Sequence, residues 1–158
     1  MVQQTVIWGT FCGLALVASL WRPKAARIGL GVFFIIMAVG VNGVYALLSP
    51  DGFVKLGTDA PLLEPYRWAF ANVVAIAPAA FGLATAAFEA TIGVLLIRGG
   101  HQARLALVAG IIFLVISSAL GPWALPNLIL AVVLGVLLVK QHHAPSRVAG
   151  FTARPVLR

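Results

Sequence analysis

Charge is what this sequence has least of. Of its 158 residues only 9% are Asp, Glu, Lys or Arg, while 61% are hydrophobic. Soluble domains run nearer a quarter charged, and no soluble fold of this size has interior enough to hide so much apolar surface. A bilayer is the solvent this composition implies. Acids are scarcer still, four against eleven Lys and Arg, for a net charge of +7. In a soluble protein that balance would suggest nucleic acid. Here the basic residues fall in short clusters between apolar runs, the pattern of topogenic charge, so nucleic acid is not an expected partner. One cysteine, Cys12, excludes an intrachain disulfide or a CxxC pair. It is read as a small buried apolar residue. His101, His142 and His143 all lie outside the apolar runs, which argues against a haem held by histidines within helices. There is no Walker loop, no GxGxxG, no HExxH and no GxSxG. No catalytic residue and no metal site is assigned, and no cofactor is called for by motif.

Long apolar runs are what the chain does have. The first, Val2 to Trp21, is about one bilayer crossing long. A signal peptide is the competing reading, with Val17-Ala18-Ser19 as a cleavage site. The absence of Lys or Arg before the run, and Arg22, Lys24 and Arg27 just after it, favour a retained helix. Further spans are expected over Ile28 to Ser49, Ala79 to Arg98, Ala103 to Leu120 and Asn127 to Val139, the last taking in part of the preceding turn. Pro50-Asp51-Gly52 reads as a turn. The segment from Pro65 to Ala77 carries Tyr66, Arg67, Trp68 and Asn72 and is expected to lie on or dip into the outer surface, ending at Pro78. One long kinked helix from Tyr66 to Ile97 is the alternative. A basic, flexible tail occupies 142–158.

Charge then sets the threading. The 21–27 connection, the 98–104 turn and the C-terminal tail are basic. The 50–65 connection holds Asp51, Asp59 and Glu64 against Lys55, and the 121–126 turn holds no charge. Five spans put every basic connection on one side, with the N-terminus outside and the C-terminus inside. The expected fold is therefore all-α, a polytopic membrane bundle of five transmembrane helices.

Glu89 is the one acid inside an apolar run, Leu83 to Ile97. At 100° per residue Gly82, Thr85, Ala86 and Gly93 share its face. Small residues let helices approach closely, so Glu89 is expected to face the bundle interior. There it is expected to be neutral, able to donate one hydrogen bond and accept others. By helical rise Glu89 lies ~13 Å from the inner end of its span, level with Phe11 and Met37, and Asn42 lies ~8 Å farther out. Thr10 is thus the expected partner, with Thr85 as the local option. An intramembrane acid is by default a proton or ligand group. With no second ionisable group to form a relay, a helix-fastening role is favoured over that. Toward the outer half, Asn42, Tyr45, Arg67, Trp68, Asn72, Ser117, Ser118 and Asn127 are candidates to ring a pocket opening outward. The competing reading is that polar residues gather at helix ends and cap them, Asn127 after Pro126 being the clearest case. The adjacent His142 and His143 diverge on a helix and are read as solvated.

From the second span onward, ARIGLGVFFIIMAVG (26–40) and FEATIGVLLIRGGHQARLALVAG (88–110) occur in an order and spacing that resembles the DoxX family of small bacterial membrane proteins. The resemblance covers about residues 27–140. It implies a four-helix membrane bundle over 22–141, preceded by an additional helix over 1–21, in the bacterial inner membrane. It also matches Glu89 to the family's helix acid. Relatives are tied to quinone-linked sulfur oxidation and to membrane oxidoreductase assemblies. The ending KQHHAPSR departs from the family's usual polar ending, and Gly9 and Gly13 on the additional helix form a small-xxx-small pair suited to packing. The expected function is a non-catalytic accessory or assembly subunit of a larger membrane complex, with membrane lipids and other membrane subunits as partners. The alternatives are a quinone-linked redox subunit, or a small lipophile-binding or transport protein. A quinone or lipid is the ligand either would take.

Overall fold

The computed structural model describes residues 2–142, so the tail and its His142-His143 pair fall outside it apart from the last helical position. Among the described residues every regular element is helical. Helix α1 (Val2–Trp21) is followed after a single residue by α2 (Pro23–Leu48). Pro23 opens α2 at a position where its missing N–H and fixed φ suit a helix start. Two short helices come next, α3 (Pro50–Thr58) and α4 (Glu64–Asn72), then a 3-10 turn at Val74–Ile76. Helix α5 (Pro78–Arg98) ends at Gly99, whose φ of 82° is a left-handed conformation suited to glycine. Helix α6 (Gly100–Ser117) runs on into 3-10 turns at Ser118–Leu120 and Pro122–Ala124, and α7 (Asn127–His142) comes last.

Four stretches are long and apolar enough to cross a membrane: Pro23–Leu48, Pro78–Arg98, Gly100–Leu120 and Pro122–Gln141. Val6–Trp21 within α1 is a shorter apolar helix by the same measure. The five long helices close a ring in which α1 packs on α2, α2 on α5, α5 on α6, α6 on α7, and α7 back on α1. Leu30, Phe34, Ile92, Leu96, Leu107, Leu130, Leu134 and Leu137 fill its centre. The outside stays apolar, with Leu14, Val39, Leu47 and Val132 all more than half exposed. In water so large an apolar exterior would be an aggregation hazard; against lipid it is the natural surface.

Two local expectations change. Pro50-Asp51-Gly52 is not a free turn but the first turn of α3, with Pro50 at its start and Asp51 near the positive end of the helix dipole. The segment after Pro65 is not part of one long kinked helix. It is α4, separated from α5 by the 3-10 turn and by Ala77. Together α3 and α4 form a cap over one end of the ring. Gly57 lies so close under the Phe70 ring that a Cβ there would come within 2.2 Å of it. The Leu62 N–H donates to the Ala119 carbonyl at 3.0 Å, and the Tyr66 hydroxyl donates to the Ile116 carbonyl at 2.7 Å. Burial pushes the Tyr66 phenol above its ordinary pKa.

Candidate functional site

The centre of the bundle holds one polar pair. Glu89 on α5 is 5% exposed and Asn42 on α2 is 9% exposed. Asn42 Nδ2 donates to Glu89 Oε2 at 2.6 Å. Sequence sets this up at two levels. Small residues first bring the helices together. A Cβ on Gly93 would stand 2.5 Å from the Gly31 carbonyl oxygen, and one on Gly31 would stand 2.7 Å from that of Gly93. Farther along, a Cβ on Gly82 would meet the Ala46 methyl at 2.8 Å. Only glycines let the backbones of α2 and α5 approach so closely. Glu89 therefore faces inward, as its small-residue face predicts.

The second level is a π turn in α2 over Ala38–Gly43, which carries Asn42. Gly43 lies over the Ala38 carbonyl, where a Cβ would be 3.1 Å from the oxygen. An extra residue in one turn rotates the rest of the helix and delivers Asn42 to the seam. Such turns are often found at functional positions.

The expected partner of Glu89 is therefore corrected. Thr10 does not reach it; its hydroxyl donates back to the Val6 carbonyl on α1 at 2.8 Å. Thr85 likewise donates to the Phe81 carbonyl at 2.9 Å. Rise alone places Asn42 about one and a half turns beyond Glu89. Helical side chains lean toward their own N-terminus, however, and α2 and α5 run antiparallel. Glu89 leans toward the capped end and Asn42 away from it, so the two meet across that gap.

The outer polar residues do not gather around one pocket. Asn42 belongs to the central pair. Asn127 is not a cap. Its Oδ1 accepts from Trp8 Nε1 at 3.2 Å and its Nδ2 donates to Ser117 Oγ at 3.0 Å, tying α1, α6 and α7 together. Ser118 is buried and donates to the Val115 carbonyl at 2.7 Å. Tyr45 packs over Gly52 at the α2–α3 junction. Arg67 bonds the Thr58 carbonyl at 2.8 Å and pairs with Glu64 at 3.3 Å, within the cap. Asn72 donates to the Trp68 carbonyl at 2.8 Å, and Trp68 is 63% exposed. Packing distributes these residues among different junctions because they stand on different helices.

At the other end two cations close helix ends. Arg27 donates to the Leu96 carbonyl and lies against Gly99, where α5 stops. Lys140 Nζ donates to the Ser19 carbonyl at 3.2 Å and also to the Leu20 carbonyl, where α1 stops. Both satisfy carbonyls that a helix leaves unpaired and sit at the negative end of its dipole. Sequence reasoning assigned these residues to topology alone. The cue was their place at the inner ends of apolar runs, one turn from where another helix ends.

Among the described residues no group of three or more His, Cys, Asp and Glu side chains stands ready to hold a metal ion. Cys12 is fully buried. Comparison with known protein families, with curated proteins and with solved structures finds no match.

Proposed function

We propose that this chain is a DoxX-like protein of the bacterial inner membrane with five spans, N-terminus outside and C-terminus inside. It works there as a non-catalytic accessory or assembly subunit of a larger membrane complex. One observation carries the role: polar side chains at the centre and at both ends of the bundle are used to tie its own helices together. Glu89 takes Asn42, Asn127 takes Trp8 and Ser117, and Lys140 takes the end of α1. Polar side chains that bond across helices hold a bundle in shape, and such a tie supports the structural role over the default proton or ligand role of an intramembrane acid. The orientation is supported by charge: Arg22, Lys24, Arg27, Arg98, Arg104 and Lys140 share one end of the ring. Asp51, Asp59 and Glu64 lie in or beside the cap at the other. A face for a partner is at hand on α1, where a Cβ on Gly9 or Gly13 would meet nothing within 4 Å.

The π turn beside Glu89 favours a second reading, a protein that admits a quinone or other lipophile at the Asn42–Glu89 pair. Native-mass analysis after gentle extraction from the source membrane separates the two. Partner chains in fixed stoichiometry support the accessory subunit. A lone bundle carrying a lipophile overturns it in favour of the second reading. For threading, single cysteines at Asp59 and at Gln102, both exposed, are labelled from the two faces of sealed vesicles. The proposed orientation requires Asp59 outside and Gln102 inside.

A further inference from the structure

Every acid of this chain has a place, and none is at the basic end. Only four exist in the sequence. Glu89 is buried against Asn42, Glu64 pairs with Arg67, and Asp51 and Asp59 belong to α3 and its end in the cap. The segment 143–158 adds none, since its sequence contains no Asp or Glu. Arg27 and Lys140 are engaged by helix carbonyls. Arg22 and Lys24 flank the start of α2, and both are exposed. Between them lies an open apolar cleft lined by Arg22, Pro23, Lys24, Ala25 and Ile28. Trp21, next in sequence to Arg22 and 82% exposed, has the amphipathic ring of a residue that favours the bilayer interface.

We propose that this cleft binds an anionic phospholipid, with the headgroup phosphate between Arg22 and Lys24 and an acyl chain against Pro23, Ala25 and Ile28. The chain supplies two cations and an apolar wall and has no side-chain anion to place there, so the counter-charge comes from outside. A lipid brings both the charge and the hydrocarbon at the depth where the cleft sits. The cations lie at the interface and the apolar lining runs one turn into the span. The site rests on the chain's spanning a bilayer; it does not rest on any partner subunit or on the family resemblance.

The test uses the full chain released from mixed phosphatidylcholine and phosphatidylglycerol micelles, with retained lipid identified by native mass spectrometry. The wild-type protein is expected to retain phosphatidylglycerol in preference to phosphatidylcholine, with the preference falling as salt is raised. Arg22→Gln and Lys24→Gln are each expected to weaken that preference roughly fivefold. The control Arg147→Gln with Arg154→Gln, which removes charge from the tail, is expected to leave it unchanged. Equal retention of the two lipids by the wild-type protein overturns the site, and this arm stands even if a variant fails to fold. So does a preference that survives both substitutions, or one that tracks the tail charges instead. Failure to find partner chains would leave all of these readouts intact, so the two ideas fall separately.

Discussion

Two seams of the ring solve the same packing problem in different ways. Between α2 and α5, glycines bring the backbones into contact and the polar tie lies deep, at Asn42 and Glu89. Between α1 and α7 the ties stand at the two ends. Trp8 meets Asn127 at one end and Lys140 meets the Ser19 carbonyl at the other, with Cys12, Ala131 and Leu134 among the apolar side chains of the core. A deep polar bond has no water to fall back on, so it fixes register most firmly where it is hardest to replace. A bond at the end of a span can exchange with water or headgroups. The difference marks α2–α5 as the rigid spine and α1 as the more loosely held helix.

That contrast can be broken in order of effect. Gly93→Val places a side chain where a Cβ alone stands 2.5 Å from the Gly31 carbonyl oxygen and 2.7 Å from Ile35 Cγ1. A loss of about 3 kcal/mol is expected in detergent unfolding, whereas Gly13→Ala on α1, with nothing within 4 Å, should unfold like the wild type. Glu89→Leu removes the acceptor and strands Asn42 in the interior, for about 1–3 kcal/mol. Glu89→Gln keeps an acceptor oxygen of the same reach and should lose less than about 1 kcal/mol. If Gln and Leu destabilise equally, the bond to Asn42 is not what the carboxyl provides.

Smaller effects sharpen the picture. Asn127→Ala frees Trp8 and Ser117 at the edge of the span, and about 0.5–1.5 kcal/mol is expected. Its effect should fall mainly on the docking of α1, seen as faster proteolysis of that helix. Arg67→Ala in the cap removes an exposed pair with Glu64 and a bond to Thr58. Exposed pairs contribute little, so less than about 1 kcal/mol is expected from the pair. An effect of Arg67→Ala larger than that of Glu89→Leu would reverse the order of spine and cap.

Much of this architecture is legible in the chain because bilayer thickness and run length measure the same thing. The starts of α2 and α5 lie within a few residues of where apolar runs begin, and Gly99 marks the end of α5 as a turn glycine should. The inward direction of Glu89 can be read from Gly82 and Gly93 on its face. Its partner cannot, for two physical reasons. A π turn breaks the constant rotation on which any helical wheel depends, and opposed side-chain leans join residues that rise alone keeps more than a turn apart. Helix α3 is hidden because Pro-Asp-Gly suits the start of a helix as well as a turn. The scatter of the outer polar residues is hidden because position near a helix end says nothing about which neighbour that end meets.

The most direct measurement is a double-mutant cycle on Asn42 and Glu89. Wild type, Asn42→Ala, Glu89→Ala and the double variant are unfolded under identical detergent conditions. A buried tie between α2 and α5 predicts a coupling between about 0.6 kcal/mol, the average for hydrogen bonds between membrane helices, and about 1.7 kcal/mol, the largest of them. Additive losses, with no coupling, would contradict it and return Glu89 to the role of a free intramembrane acid.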